Sequence, residues 1–307
     1  MKNTIRIGTR ESQLAVWQAT TVQQLLKENG FESELVFIKS EGDIDLQTPL
    51  YAIGVQGVFT RSLDIALLNN KIDIAVHSMK DVPVQLANGI AQAAVLKRAS
   101  YKDLFVYKGE AGFLDKADSI ATIATSSIRR KAQWLHRYPN HTIENLRGNV
   151  NTRLQKVKDN NWNGAIFAAA GLERIHLRPS NSIELDWMLP APAQGAIMVV
   201  CREKDIFCLD ACHFFNDEAT ALCVHIERDF LKTLLGGCST PISALAEVED
   251  NSIIFKGNIV ATDGTKKVET NAKALINDAA SLGVKAANDI LQKGGQEIVE
   301  GVRNATK

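Results

Sequence analysis

Basic side chains recur where apolar, strand-like runs give way to helical ones. Arg10 follows the alternating run Thr4-Ile5-Arg6-Ile7, and Lys80, in His77-Ser78-Met79-Lys80-Asp81, follows the run 72–76. Arg129 and Arg130, in Thr125-Ser126-Ser127-Ile128-Arg129-Arg130, follow 119–124. Arg147 follows 142–146, Arg153 stands a turn and a half further on, and Arg174 follows 165–169. In open α/β sheets ligands bind beyond the carboxyl ends of the strands, so these cations are expected to converge on one cleft. An arginine fork pairs bidentately with carboxylates, and Ser126 and Ser127 stand where a helix N-terminus can hold an anion. One such arginine reads as an ordinary surface residue. Their recurrence at equivalent strand ends points to a polyanion, most simply a polycarboxylate.

Asp81 is the acid among these cations. It reads either as a helix cap or Lys80 partner, or as a carboxylate kept ionised by its neighbours and able to stabilise a cation or relay a proton. Cys238, in Leu235-Gly236-Gly237-Cys238-Ser239-Thr240-Pro241, has two glycines before it and a proline soon after. A lone cysteine is usually buried, but this turn composition suits a presented thiol. Cys208, Cys212, His213 and Cys223 match no common zinc spacing, so packing is expected and no metal. No Ser-His-Asp arrangement, Walker loop or GxGxxG is evident.

The elements that must position these residues alternate. A strand at 4–7, a helix over 12–29, a strand at 35–38, a helix near 61–69 and a strand at 72–76 predict a mainly parallel sheet with helices on both faces. A second unit of the same kind starts near Leu104, with strands at 119–124, 142–146 and 165–169 and helices near 128–137 and 150–158. The apolar run 196–201 could return the chain to the first unit, giving two lobes with a cleft between them. A long helix over 217–235 then leads to strands at 244–249, 253–259 and 267–272, joined by turns at Asp250-Asn251 and Asp263-Gly264. A helix near 279–292 follows. The domains are expected at 1–98 with 196–215, at 102–190 and at 217–307.

Lys plus Arg and Asp plus Glu both number 35, so the formal net charge is zero. That balance argues against a nonspecific nucleic-acid or polybasic membrane partner and requires locally gathered cations for any anion chemistry. The first residues lack the apolar core of a secretory signal, and no apolar run approaches about 18 residues, so no membrane span is expected. Five cysteines without a paired framework suit a reducing, cytoplasmic setting.

Seven blocks carry a family resemblance along nearly the whole chain: IRIGTRESQLAVWQA (5–19), DIAVHSMKDVP (73–83), ATSSIRRKAQ (124–133), LRGNVNTRL (146–154), AAAGLERI (168–175), LPAPAQGAI (189–197) and LLGGCSTPI (234–242). With these the chain resembles the porphobilinogen deaminases (hydroxymethylbilane synthases). The resemblance implies two periplasmic-binding-protein-like lobes and a C-terminal α+β domain with a three-stranded antiparallel sheet. It implies a dipyrromethane cofactor joined by a thioether to Cys238, its acetates and propionates held by Lys80, Ser12, Thr125, Ser127, Arg129 and Arg130. Porphobilinogen carboxylates would meet Arg10, Arg147, Arg153 and Arg174, and Asp81 would be catalytic. It implies a monomeric enzyme that joins four porphobilinogens head to tail, releases ammonia and finally hydrolyses off hydroxymethylbilane.

Six positions depart from the family pattern. Gln13 replaces a common Pro, Gln56 a usual Lys, Ser100-Tyr101 a frequent Asp-Pro, Ala193 a common Gly and Cys223 a basic residue. The loop 42–58 is therefore the least secure transfer. The rival class is a two-lobed receptor for a carboxylate ligand that performs no chemistry, because a fold does not by itself imply a function; a deaminase unable to load its primer is a further alternative.

Overall fold

The computed structural model describes residues 4–39, 59–116, 118–234 and 240–305. The first lobe begins with β1 (Ile5–Thr9), α1 (Gln13–Glu28), β2 (Ser33–Phe37), α2 (Arg61–Leu68), β3 (Ile74–Ser78) and β4 (Ile90–Val95). Ser12 caps α1 by accepting a hydrogen bond from the Ala15 amide, and Ala19, Val22 and Leu26 form the buried stripe that holds the helix on the sheet. β1 pairs in parallel with both β2 and β3. The run Ile74-Ala75-Val76 is buried throughout, as expected for a strand covered on both faces.

The second lobe contains β5 (Asp103–Tyr107), β6 (Thr122–Ala124), α3 (Ile128–Arg137), β7 (Thr142–Glu144), α4 (Val150–Asp159), β8 (Gly164–Ala168), α5 (Ala169–Glu173) and β9 (Ser182–Glu184). Its sheet order is β7-β6-β8-β5-β9. The chain then crosses back as β10 (Ile197–Arg202), completing the first sheet in the order β2-β1-β3-β10-β4.

Each sheet has one strand running against the rest. β5 is antiparallel to β8 and β9, and β10 is antiparallel to β3 and β4. Both are the strands on which the chain arrives from the other lobe. Asp103 opens β5 opposite Ala168, the last residue of β8, and Ile197 opens β10 opposite Ser78, the last residue of β3. Each crossing therefore enters at the carboxyl edge of its sheet, the edge that faces the cleft, and puts the first residues of β5 and β10 beside the functional residues.

The C-terminal part follows α6 (Ile206–His213) and consists of α7 (Glu218–Leu234), β11 (Ile242–Glu249), β12 (Ser252–Val260), β13 (Lys267–Leu275), α8 (Leu282–Ile290) and α9 (Gln296–Ala305). The antiparallel order β11-β12-β13 packs against α7 and α8, with Phe230 and Phe255 at 5.1 Å between ring centroids. Where the sequence suggests one helix near 279–292, a 3-10 segment over 276–281 precedes α8. Gly294, at φ 93°, then breaks the path, and α9 continues beyond it. Two elements have no clear signal in the sequence: β4, which is rich in alanine and so has little β-propensity, and α6, which is apolar on most sides.

Cys201, Cys208 and Cys212 are buried free thiols in the core of the first lobe, and Cys223 is buried in that of the C-terminal domain. Burial pushes the thiols of Cys201 and Cys223 up to about 11, so they pack as small apolar groups. Among the described residues no cluster of His, Cys, Asp and Glu could hold a metal ion, and no helix is long and apolar enough to cross a membrane.

Candidate active site

A cavity of about 330 Å3 lies between the two sheets and reaches the C-terminal domain at Leu231, Thr240 and Ile242. Its described ionisable wall consists of seven cations, Arg10, Lys80, Arg129, Arg130, Arg147, Arg153 and Arg174, with His77 and one acid, Asp81. Ser12, Thr125 and Ser127 also line it. The structure thus brings together every described residue that the sequence marks for anion binding. Cys238 and Gln56 lie outside the described residues.

Local backbone geometry explains the placement. Ser127 caps α3 by accepting from the Arg130 amide at 3.4 Å, which puts Arg129 and Arg130 on the first turn at the cavity wall. Asn149 caps α4 by accepting from the Thr152 amide at 2.9 Å, placing Arg153 at the other side of the same opening. Ser126 bonds to the following strand end instead: its hydroxyl donates to Asn145 Oδ1 at 2.6 Å and accepts from the Leu146 amide at 3.0 Å. Of the two serines, Ser127 is the one whose oxygen serves the helix start.

Arg129 and Arg130 are buried and share one carboxylate that the sequence reading did not single out. Arg129 Nη2 donates to Asp103 Oδ2 at 2.7 Å, and Arg130 Nη2 and Nε donate to Asp103 Oδ1 at 2.7 and 3.1 Å. Burial alone would push the Asp103 carboxyl up, but the two guanidiniums outweigh it and hold it well below the usual carboxylate range. Arg129 Nη1 also donates to the Leu189 carbonyl at 2.7 Å and Arg130 Nη1 to the Ile166 carbonyl at 3.0 Å. Gln194, nearly inaccessible, donates to Asp103 Oδ1 at 2.9 Å and accepts from Lys80 Nζ at 3.2 Å, linking the lobes. The available sequence signal for Asp103 was a lone acid at the head of the apolar run Leu104-Phe105-Val106.

The remaining cations are held in a state that favours anions. Burial lowers Lys80 to about 8, assisted by Arg130. Burial and the neighbouring Arg130 lower Arg153 to about 10, and burial lowers Arg174 to about 10. Arg174 donates to the Gly195 carbonyl at 2.7 Å and lies 5.7 Å from the centre of the Trp17 ring, while Arg10 lies 4.4 Å from the centre of Phe59. The buried Nε atoms of Arg129 and Arg153 have no hydrogen-bond partner among the described residues. Unpaired buried donors on crowded cations are costly unless a ligand supplies acceptors.

Asp81 sits in the 3-10 turn Met79–Asp81 just past β3. Its charge acts on Lys80 and Arg153, yet its carboxylate forms no hydrogen bond or close ion pair with another described residue. It is therefore an acid that remains available to a ligand.

The family model "Porphobilinogen deaminase, dipyromethane cofactor binding domain" matches residues 5–210, and "Porphobilinogen deaminase, C-terminal domain" matches residues 221–292. The chain belongs to the porphobilinogen deaminase family. It is 38% identical to a porphobilinogen deaminase of Desulforamulus reducens over 99% of both chains. It is 37% identical to one of Campylobacter hominis over 97% of this chain and 98% of the relative. Among solved structures it is similar to the methionine-binding protein MetQ, with a TM-score of 0.45 and 15% identity, covering 72% of this chain and 93% of that one. Porphobilinogen deaminases are transferases that build a tetrapyrrole from porphobilinogen on a dipyrromethane cofactor, in the route to haem.

Two departures from the family pattern now have a structural account. Gln13 accepts from Asn151 Nδ2 at 3.0 Å, joining the two lobes across the mouth of the cleft. Ala193 adopts φ 62°, in the left-handed region where glycine carries no steric cost.

Proposed function

We propose that the cavity wall divides its work as follows. Arg129, Arg130, Lys80, Ser12, Thr125 and Ser127 hold the carboxylates of a dipyrromethane attached to Cys238. Arg10, Arg147, Arg153 and Arg174 receive those of the incoming porphobilinogen, and Asp81 serves the chemistry. The observation that carries this reading is that the described wall sets seven cations around one acid, and that acid forms no ion pair with another described residue.

The donor set fits a polycarboxylate pyrrole. Buried, mutually repelling guanidiniums with spare N–H groups need anionic oxygens, which the acetates and propionates of a pyrrole supply and a bare metal cation would not. When bound, the cofactor supplies a free pyrrole carbon as the nucleophile for each added unit. The substrate must lose its aminomethyl nitrogen as ammonia, which leaves positive charge on its pyrrole ring. Asp81 stabilises that charge because it lines the cavity, is fixed on a short turn and pairs with no other described residue. Its carboxylate can also accept the proton released from the ring once the new carbon–carbon bond has formed. The arginines orient the rings through their acidic side chains and do not touch the reacting carbons, which makes the same wall usable for each successive unit.

We further propose that the protein works as a cytoplasmic monomer, a reading whose cytoplasmic part is supported by the buried free thiols of Cys201, Cys208, Cys212 and Cys223. Intact-mass measurement with peptide mapping tests the central reading. A dipyrromethane adduct on Cys238, together with conversion of porphobilinogen to hydroxymethylbilane, is expected; active protein with an unmodified Cys238 would overturn it.

A further inference from the structure

We propose that Asp103 is a positioning residue for cofactor loading, clamping Arg129 and Arg130 by one side so that their remaining N–H donors are presented to the cofactor's carboxylates. This rests on the functional reading above and extends it to a residue that is not itself part of the cavity wall.

The geometry supports the role in three ways. First, Asp103 is fully buried and stands behind both arginines, which do line the cavity. Second, its two oxygens are shared out: Oδ2 takes Arg129, and Oδ1 takes Nε and Nη2 of Arg130 as well as Gln194 Nε2. With the Leu189 and Ile166 carbonyls, this anchors one part of each guanidinium to the second lobe. Third, the anchoring is incomplete by design of the donor count. A guanidinium has five N–H groups. Among the described residues Arg129 uses two and Arg130 three, and the buried Arg129 Nε has no acceptor.

Electrostatics set the reason for a carboxylate at this point. Adjacent guanidiniums repel, and without a shared counter-charge they would swing apart or draw a solvent anion between them. A carboxylate placed inside the cavity would compete with the ligand. Placed behind the arginines, it neutralises part of their charge without occupying the ligand's place. The antiparallel entry of β5 makes this possible, because Asp103 is the first residue of that strand and so lies at the cleft edge of the sheet.

The test uses the full chain, produced without cofactor and then incubated with porphobilinogen, with the adduct on Cys238 followed by intact mass and folding by thermal melting. Asp103→Asn keeps the shape and loses the charge. It is expected to slow adduct formation about tenfold or more, while the fraction that does load keeps a near-normal KM for porphobilinogen. Val106→Ala, a core change on the same strand away from the arginines, is the control and is expected to load normally at an equal loss of Tm. Should Asp103→Asn not fold, Asp103→Glu tests the same clamp: it keeps the charge but shifts both oxygens by one methylene, so the two guanidiniums are misaimed and loading is again expected to slow. Wild-type loading in the Asp103 variants, or equal loss of loading in Val106→Ala, would overturn the inference alone. A wild-type chain that never forms the adduct would overturn the functional reading and this inference with it.

Discussion

Arg98, on the first crossover, and Glu227, on α7, meet in a two-pronged pair: Nη1 lies 2.6 Å from Oε1 and Nη2 3.1 Å from Oε2. Glu227 is inaccessible to solvent and also accepts from the Ala193 amide at 2.6 Å and the Ala246 amide at 2.8 Å. One carboxylate thus ties both crossovers to the C-terminal domain. Removing one partner of a buried pair leaves the other charge uncompensated, at a cost of about 3–5 kcal/mol. Glu227→Ala and Arg98→Ala should each lower stability by that order in urea titration, without either residue entering the cavity.

The crossovers pass each other at Gly195. Its φ is +89°, and a Cβ there would stand 2.7 Å from the Ala99 carbonyl and 2.8 Å from the Ser100 carbonyl, both backbone atoms. Gly195→Ala combines a left-handed backbone with a steric clash, so about 2 kcal/mol or more should be lost. A melting curve of the variant checks this; unchanged stability would show that the crossovers can separate freely.

Arg153→Leu should part stability from function. The folded state lowers Arg153 to about 10 through burial and neighbouring cations, so the charge is costly in the protein without ligand. The variant should melt at a higher temperature while kcat/KM for porphobilinogen falls roughly 30–150-fold, the loss of one charged hydrogen bond. A lower melting temperature would mean that Arg153 is structural.

Asp81→Ala should reduce kcat far more than it raises KM, because the carboxylate is proposed to act on charge that develops in the transition state. Asp81→Glu should keep the cofactor attached and turn over slowly. Single-turnover measurements on loaded protein decide this, and normal elongation in Asp81→Ala would remove the residue from the mechanism.

Stability and loading should respond to pH through two bases of the cavity wall, the buried His77 and the half-buried Lys80. His77 is lowered from 6.5 to about 4 by burial. Between those values the unfolded chain binds more protons, so stability should fall as pH drops from about 6.5 to about 4. His77→Gln should flatten that limb. Lys80 is lowered from 10.5 to about 8, so between those values the unfolded chain again holds more protons and the cofactor-free protein should gain stability as pH rises. Over the same interval Lys80 loses the charge that attracts a carboxylate, and cofactor loading should slow above about pH 8. A loading rate independent of pH up to 10 would exclude Lys80 from the cofactor site.

Much of the architecture is written locally. The apolar stripe of α1, the long α7, and the alternating strands β11 to β13 with their turn at Asp250-Asn251 follow from periodicity within a few residues. The cations of the cavity were also legible, because each stands at a strand end whose position the local pattern reveals. What the sequence by itself determined, then, is the family, the two α/β units, the C-terminal sheet and the membership of the cation cluster.

Asp103, Gln194 and Glu227 were decided by the tertiary structure. Asp103 meets Arg129 across 26 positions, Gln194 meets Asp103 across 91, and Arg98 meets Glu227 across 129. No periodicity spans such separations. The pairings depend on β5 and β10 entering their sheets from the cleft edge, a direction that a run of apolar residues does not encode. The same residue types in an ordinary strand and loop would face solvent. Only the crossing of the chain turns them into the buried anchors that aim the arginines.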